Sequence, residues 1–215
     1  MAAEQDAGPG LALTTDDHHP LWARPLRVSD KPHLQEGLTR LSRQSRYYRF
    51  LTGIERLSEA QLRELTEFDR ETQEAWVVFD AAADTVRGVA VGRFVVDPAD
   101  RTRAEVALVV VDAFQNRGVG RRVLGVLTVC AARHGVLTFT GLASEDNTPV
   151  RRWFDRLGAR FESDNRGAFE FVLPLSRPGL LDRLLAPRPA VDPSAGPQGD
   201  RETDPNSSTP PTHRR

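Results

Sequence analysis

The stretch from Val106 to Arg122, VALVVVDAFQNRGVGRR, constrains this chain more than any other, because an unbroken apolar run enters a glycine-bearing loop that opens into a helical pattern. A β-branched run of this kind reads as a buried strand. Beyond it Val119, Val123, Val126 or Leu127, and Cys130 recur every three or four residues, which predicts a helix over 118–134 with Gly135 as its stop. The first amides of a helix have no intrahelical partner, and the macrodipole places about half a positive charge beside them, so the junction suits a diphosphate. Gly118 and Gly120 remove side chains that would hold an anion away. Arg117, Arg121 and Arg122 add full charges, with surface charge pairing as the plainer role for at least one of them.

Two common phosphate motifs fail here on spacing. A P-loop needs Gly-Lys followed by Ser or Thr, whereas Gly120 is followed by Arg121 and Arg122. A dinucleotide fingerprint needs a third glycine where Val123 stands, within a parallel βαβ unit, while this strand follows two others through short turns.

The flanking pattern is that of a mixed α+β domain. Arg24 to Val28 alternates as a strand, and Ser29 or Asp30 is placed to cap a helix reaching about Ser42. Helical segments follow over 46–52 and 58–68, the second opened by Ser58 and Gln61 at capping-box spacing. Strands over 75–79, 86–96 and 104–111, joined by short turns, predict an antiparallel meander. Downstream come a strand over 136–142, a helix opened by Pro149 and ended by Gly158, and a hairpin built from 160–162 and 169–173. The domain is expected over 22–175. Residues 1–21 read as a flexible arm and 176–215 as a proline-rich disordered tail, in which 179–186 is apolar enough to dock as a helical turn before Pro187 stops it.

Charge and cysteine content narrow the class. Lys+Arg 29 against Asp+Glu 30 gives a net charge of -1, so no global basic field draws the chain to nucleic acid. The longest uncharged apolar stretch, 123–132, falls well short of the roughly 20 residues of a membrane span, and the first residues carry acids without an apolar core. Cys130 is the only cysteine. With His18, His19 and His213 in the expected tails, no metal set is foreseen, and a reducing cytoplasm is the expected location.

The run QNRGVG, Gln115 to Gly120, resembles the Gln/Arg-x-x-Gly-x-Gly/Ala signature of the GNAT N-acetyltransferase superfamily in its strand-to-helix setting. Asn147 to Gly158, NTPVRRWFDRLG, resembles the family's second helix facing the acyl-CoA. SRYYRF (Ser45 to Phe50) and AEVALVV (Ala104 to Val110) are most similar to the catalytic domain of bacterial Pat-type protein-lysine acetyltransferases. The resemblance implies a sheet splayed between the strand ending at Val111 and the one beginning near Val136, with acetyl-CoA as cosubstrate in the gap. It places thioester-arm contacts at Val109, Val110 and Val111, and diphosphate contacts at Gln115, Arg117, Gly118, Val119, Gly120, Arg121 and Arg122. Asn147 matches an asparagine beside the pantetheine arm, although a helix N-cap before Pro149 is an equal reading.

An alkyl ammonium titrating near 10.4 loses its proton at pH 7 at a cost of roughly 4.6 kcal/mol, so a lysine-like acceptor demands a base. By periodicity Glu105 reads as an edge glutamate paired to Arg103 or Arg93. The Pat-type resemblance makes it the general base instead, acting through a water, with partial burial expected to raise its pKa. The family's tyrosine acid for the leaving thiolate falls at Phe154, which has no proton to give. Tyr47 and Tyr48 lie in the segment that lines the acceptor side. The implied function is acetyl transfer to a primary amine, a protein lysine foremost. A small-molecule amine and a non-catalytic acyl-CoA-sensing module are the alternatives.

Overall fold

The computed structural model describes residues 10–163 and 167–186. A hairpin of β1 (Leu11–Thr14) and β2 (Pro20–Pro25) opens the fold, followed by three helices, α1 (Lys31–Thr39), α2 (Arg43–Phe50) and α3 (Glu59–Thr66). The meander is β3 (Gln73–Asp80), β4 (Gly88–Val96) and β5 (Arg103–Val110). Then come α4 (Val119–Arg133), β6 (Thr138–Ser144), α5 (Thr148–Leu157), β7 (Arg160–Ser163), β8 (Ala168–Pro174) and α6 (Leu180–Leu185). The eight strands form one sheet in the order β1-β2-β3-β4-β5-β6-β8-β7.

Every neighbouring pair is antiparallel except β5 with β6. Those two run parallel, and their pairing is confined to Arg103–Thr138, Ala104–Phe139 and Glu105–Thr140. Gly141 follows at the point of separation, and a Cβ there would stand 2.8 Å from the Val106 carbonyl oxygen and 2.6 Å from the Phe171 ring. Only glycine lets the strands meet so closely before they part.

Helix α4 covers one sheet face. A Cβ on Gly92 would meet Val123 and Leu127, so the even-numbered residues of β4, and Val106, Leu108 and Val110 of β5, face this helix. Leu124 and Leu127 are fully buried, each worth about 1.5–3 kcal/mol relative to exposure. Helices α1–α3 cover the opposite face. Ser58 and Gln61 close the expected capping box on α3, and Pro149 stands in the first turn of α5 with Gly158 in the left-handed region at its end.

Two expectations are corrected. Residues 11–21 form most of the first hairpin where a flexible arm was expected. The strands are too short and the turn too polar for alternation to register, but Thr15 and His19 close the turn and its acids dock on the loop before α4. Asp30 does not cap α1 with its side chain. It is buried against Arg24, at 2.7 and 2.8 Å, and accepts from the Arg27 amide. The segment 179–186, inside the bounds given to the disordered tail, forms the docked helical turn its apolar residues foreshadow, packed against α4 with Leu180 and Leu184 buried. The rest of the arm and tail, 1–9 and 187–215, lies outside the described residues.

Candidate active site

Where β5 and β6 part, half of a strand edge is left open. The Val111 amide donates to Val89 O on β4 at 2.9 Å, so in this antiparallel ladder the backbone groups of Val111, Val109 and Ala107 point to β4. Those of Leu108 and Val110 point the other way, toward β6, which no longer pairs there. Of the three valines expected to meet a thioester arm, only Val110 presents its backbone to the gap, and Leu108 is the second such residue. The sequence held that signal in its two-residue alternation, but not which phase faced β4.

The loop that follows is braced by Gln115. Its amide nitrogen donates to Val110 O (3.0 Å), Asp112 Oδ1 (3.1 Å) and Ser45 Oγ (3.1 Å). Gln115 thus clips the end of β5 to α2, and its side chain is spent on protein acceptors. Burial pushes the Asp112 carboxyl up, but the Ser45 and Ser42 hydrogen bonds outweigh it and the net shift is down.

Gly118 caps α4 with φ +81°, and among the described residues no side chain caps the first amides of the helix, those of Val119, Gly120 and Arg121. A Cβ on Gly120 would lie 3.6 Å from Leu108 and Val110 and 3.9 Å from Trp153, so the missing side chain points into the gap between β5 and α5. The charge pairing expected of at least one of the three arginines extends to all of them. Arg117 pairs with Asp17 at 2.8 Å, and Asp16 Oδ1 accepts from Arg121 at 2.7 Å and Arg122 at 2.8 Å. Arg121 also donates to the carbonyls of Arg183 and Ala186 at the end of α6. All three guanidiniums are therefore charge-paired, and bare backbone amides are what the junction offers an anion. Burial raises the Asp16 carboxyl pKa, but the hydrogen bonds and charges of Arg122 and Arg121 prevail and hold it below its ordinary value.

Asn147 caps α5, accepting from the Val150 amide at 3.3 Å, and is itself buried. Phe154 is buried and stacked on Phe171, with centroids 3.9 Å apart. Tyr47 is exposed, while the Tyr48 hydroxyl donates to Asp146 O at 3.2 Å, so α2 is tied to both lips of the gap.

Glu105 lies at the closed end of the gap, on the face opposite α4, and is exposed rather than partly buried. Its expected partners Arg103 and Arg93 do not form an ion pair with it; Arg103 approaches Glu170 instead, at 3.8 Å. Arg93 and Arg49 stand on the same face. Burial first, and then repulsion from Arg93, lower the Arg49 pKa to about 10, with the Glu105 charge opposing both. Cys130 is buried with its thiol pushed up to about 11, an inert core residue. Among the described residues no cluster of His, Cys, Asp or Glu could hold a metal, and no helix is long and apolar enough to cross a membrane.

A sheet split between two parallel strands, with an open β-edge leading to bare amides at a helix N-terminus, is the fold of an acetyltransferase (GNAT) domain. The model of the acetyltransferase (GNAT) domain matches residues 21–160, and the chain belongs to that family. Acetyltransferase Pat of Mycolicibacterium smegmatis is 33% identical over 146 residues, which are 68% of this chain and 43% of that protein. The chain thus spans less than half the length of that relative. The GNAT domain of S. lividans PAT superposes with a TM-score of 0.69 at 23% identity, over 77% of this chain and 96% of that one. A cAMP-binding acyltransferase from Mycobacterium smegmatis gives a TM-score of 0.55 at 26% identity, over 85% and 55%.

Proposed function

We propose that this GNAT enzyme transfers an acetyl group from acetyl-CoA to a primary amine, with Glu105 as general base. The observation that carries the reading is the open edge at Leu108 and Val110, because it ends beside the bare amides of Val119–Arg121. A pantetheine arm carries amides that can pair with such an edge as a false strand, and its diphosphate then reaches the helix N-terminus. Gly120 leaves the passage open.

The Leu108 and Val110 amides are the donors available to polarise the thioester carbonyl. Leu108 and Glu105 are three residues apart, about 10 Å along a strand, an interval that the acceptor amine and a bridging water fill. Glu105 takes a proton from the ammonium through that water. The freed amine forms the new C–N bond as the C–S bond breaks, and the thiolate leaves. With phenylalanine at 154 and a thiol pKa of about 8.5, the thiolate takes its proton from solvent or from the attacking nitrogen, which is cationic once bonded to the carbonyl carbon and loses a second proton to become the amide. Asn147, as the cap of α5, fixes the far wall of the gap.

The resemblance to Pat favours a protein lysine as acceptor. Glu105→Gln tests the reading. It is expected to lower kcat for amine acetylation by about 100-fold or more while the KM for acetyl-CoA stays within twofold. Unchanged turnover would remove Glu105 from the mechanism, and a wild-type protein that binds acetyl-CoA yet acetylates no amine would favour the acyl-CoA-sensing alternative.

A further inference from the structure

On the face of β4 and β5 that carries Glu105, a cavity of about 70 Å³ lies beneath α1, α2 and α3. That is the room of about two water molecules, enough for the head of a small group and far too little for the coenzyme. Its walls are almost wholly apolar, among them Leu38, Phe50, Val89, Val91 and the side chains of Val109 and Val111. The polar residues of its lining are His33 from α1, Arg49 from α2 and Arg93 from β4.

Neither guanidinium is in an ion pair, although the charge of Glu105 reaches both and that of Glu64 reaches Arg93. Among the described residues no carboxylate oxygen lies within 4.0 Å of either one. Arg93 donates to the neutral amide of Gln73, and Arg49 lies over the Phe50 ring at 5.1 Å. Two half-buried cations that repel each other in an apolar pocket are costly unless an anion joins them. Arg122 and Arg24 show how this chain treats its other buried arginines, since each is matched to an aspartate within 3 Å.

The pocket also has a fixed position relative to the chemistry. Arg93 stands opposite Ala107 on the sheet, and Glu105 and Ala107 are successive residues of one face. A molecule whose amine reaches the water of Glu105 therefore has the guanidiniums only a few bonds away.

We infer that the acceptor holds a carboxylate close in space to its reactive amine, and that Arg49 and Arg93 bind this carboxylate at the end of the cavity. The inference rests on the transferase reading above and names its substrate class. A free apolar α-amino acid and a lysine followed by an acidic residue both present that chemistry.

Two matched acceptor pairs test it at saturating acetyl-CoA. One is L-valine against L-valinamide, corrected for the fraction of free amine. The other is a peptide with lysine followed by glutamate against the same peptide with glutamine. In the pair that corresponds to the true source, the carboxylate member should lead by about 10- to 100-fold in kcat/KM, held in KM. Arg49→Gln should bring that ratio close to one, with Arg49→Lys retaining part of it. Ratios near one for both pairs in the wild type, or a preference that survives Arg49→Gln, overturn the inference.

A binding measurement separates the subsite from the transfer reaction. Calorimetry of N-acetyl-L-valine and its amide, and of the two acetylated peptides, on the CoA-loaded protein should show the same preference for the acid in the wild type and in Glu105→Gln, and its loss in Arg49→Gln. No preference for either acid overturns the subsite. A preference without turnover of any amine leaves the subsite standing and counts against the transferase reading alone.

Discussion

Asp16 Oδ1 lies 2.8 Å from Nη1 of Arg122, across 106 residues of sequence, and the same oxygen accepts from Arg121 at 2.7 Å. The turn of the first hairpin thereby sets a carboxylate at the first turn of α4, so near Gly118 that a Cβ there would come within 2.4 Å of it. Two arginines at the junction proposed for the diphosphate are occupied by the chain's own anion, and a negative charge stands beside the place a diphosphate would take.

Asp16→Asn should therefore strengthen acetyl-CoA binding. Removing one like charge at an exposed junction is worth about 1 kcal/mol, or roughly fivefold in Kd, shrinking as salt is raised. Titration calorimetry at two ionic strengths measures it. Weaker binding in the variant would mean that Asp16 holds the loop in its binding shape rather than competing for it.

The buried pair of Asp30 and Arg24 sets the acid limit of the fold. Burial raises the Asp30 carboxyl, but Arg24 and the Arg27 amide outweigh it and the net shift is below the ordinary value near 3.8. A carboxylate whose folded pKa is depressed stabilises fully above its unfolded value, and that stability is lost as the pH falls through the folded one. Thermal unfolding should show Tm level from neutrality to about pH 5 and falling below about pH 4. Asp30→Asn should cost about 3–5 kcal/mol at pH 7, since it leaves Arg24 buried without its counter-charge, and it should flatten the acid limb.

The glycines at 118 and 120 should fail in different ways. Gly118→Ala puts a side chain at φ +81° against Asp16 and Arg122, and should lower stability by about 1–2 kcal/mol in a denaturant titration. The Cβ of Gly120→Val meets only ordinary contacts with Leu108, Val110 and Trp153, so the fold should hold within about 1 kcal/mol while acetyl-CoA affinity falls tenfold or more. Intact binding in Gly120→Val would show that the gap is not the coenzyme's passage.

The strand–loop–helix unit was legible because each of its signals is local: the apolar run to Val111, two glycines two apart, and the three-to-four spacing from Val119 to Cys130. The capping box at Ser58 and the end of α5 at Gly158 were legible for the same reason. What escaped was long-range. Nothing near Asp16 announces that it meets Arg122, and nothing in SRYYRF shows that Arg49 shares a cavity with Arg93. The exposure of Glu105 was not legible because an apolar run implies burial, whereas this residue, paired to strands on both sides, faces outward just before the sheet opens. Leu108 was passed over because the phase of the β4–β5 ladder depends on the Val111–Val89 hydrogen bond, a tertiary fact.

A crystal structure of the protein with acetyl-CoA tests the central claim most directly. The account predicts the diphosphate oxygens within about 3 Å of the Val119, Gly120 and Arg121 amides, and the pantetheine paired with the edge at Leu108 and Val110. A coenzyme seated elsewhere on the sheet, with that edge left open, would contradict it.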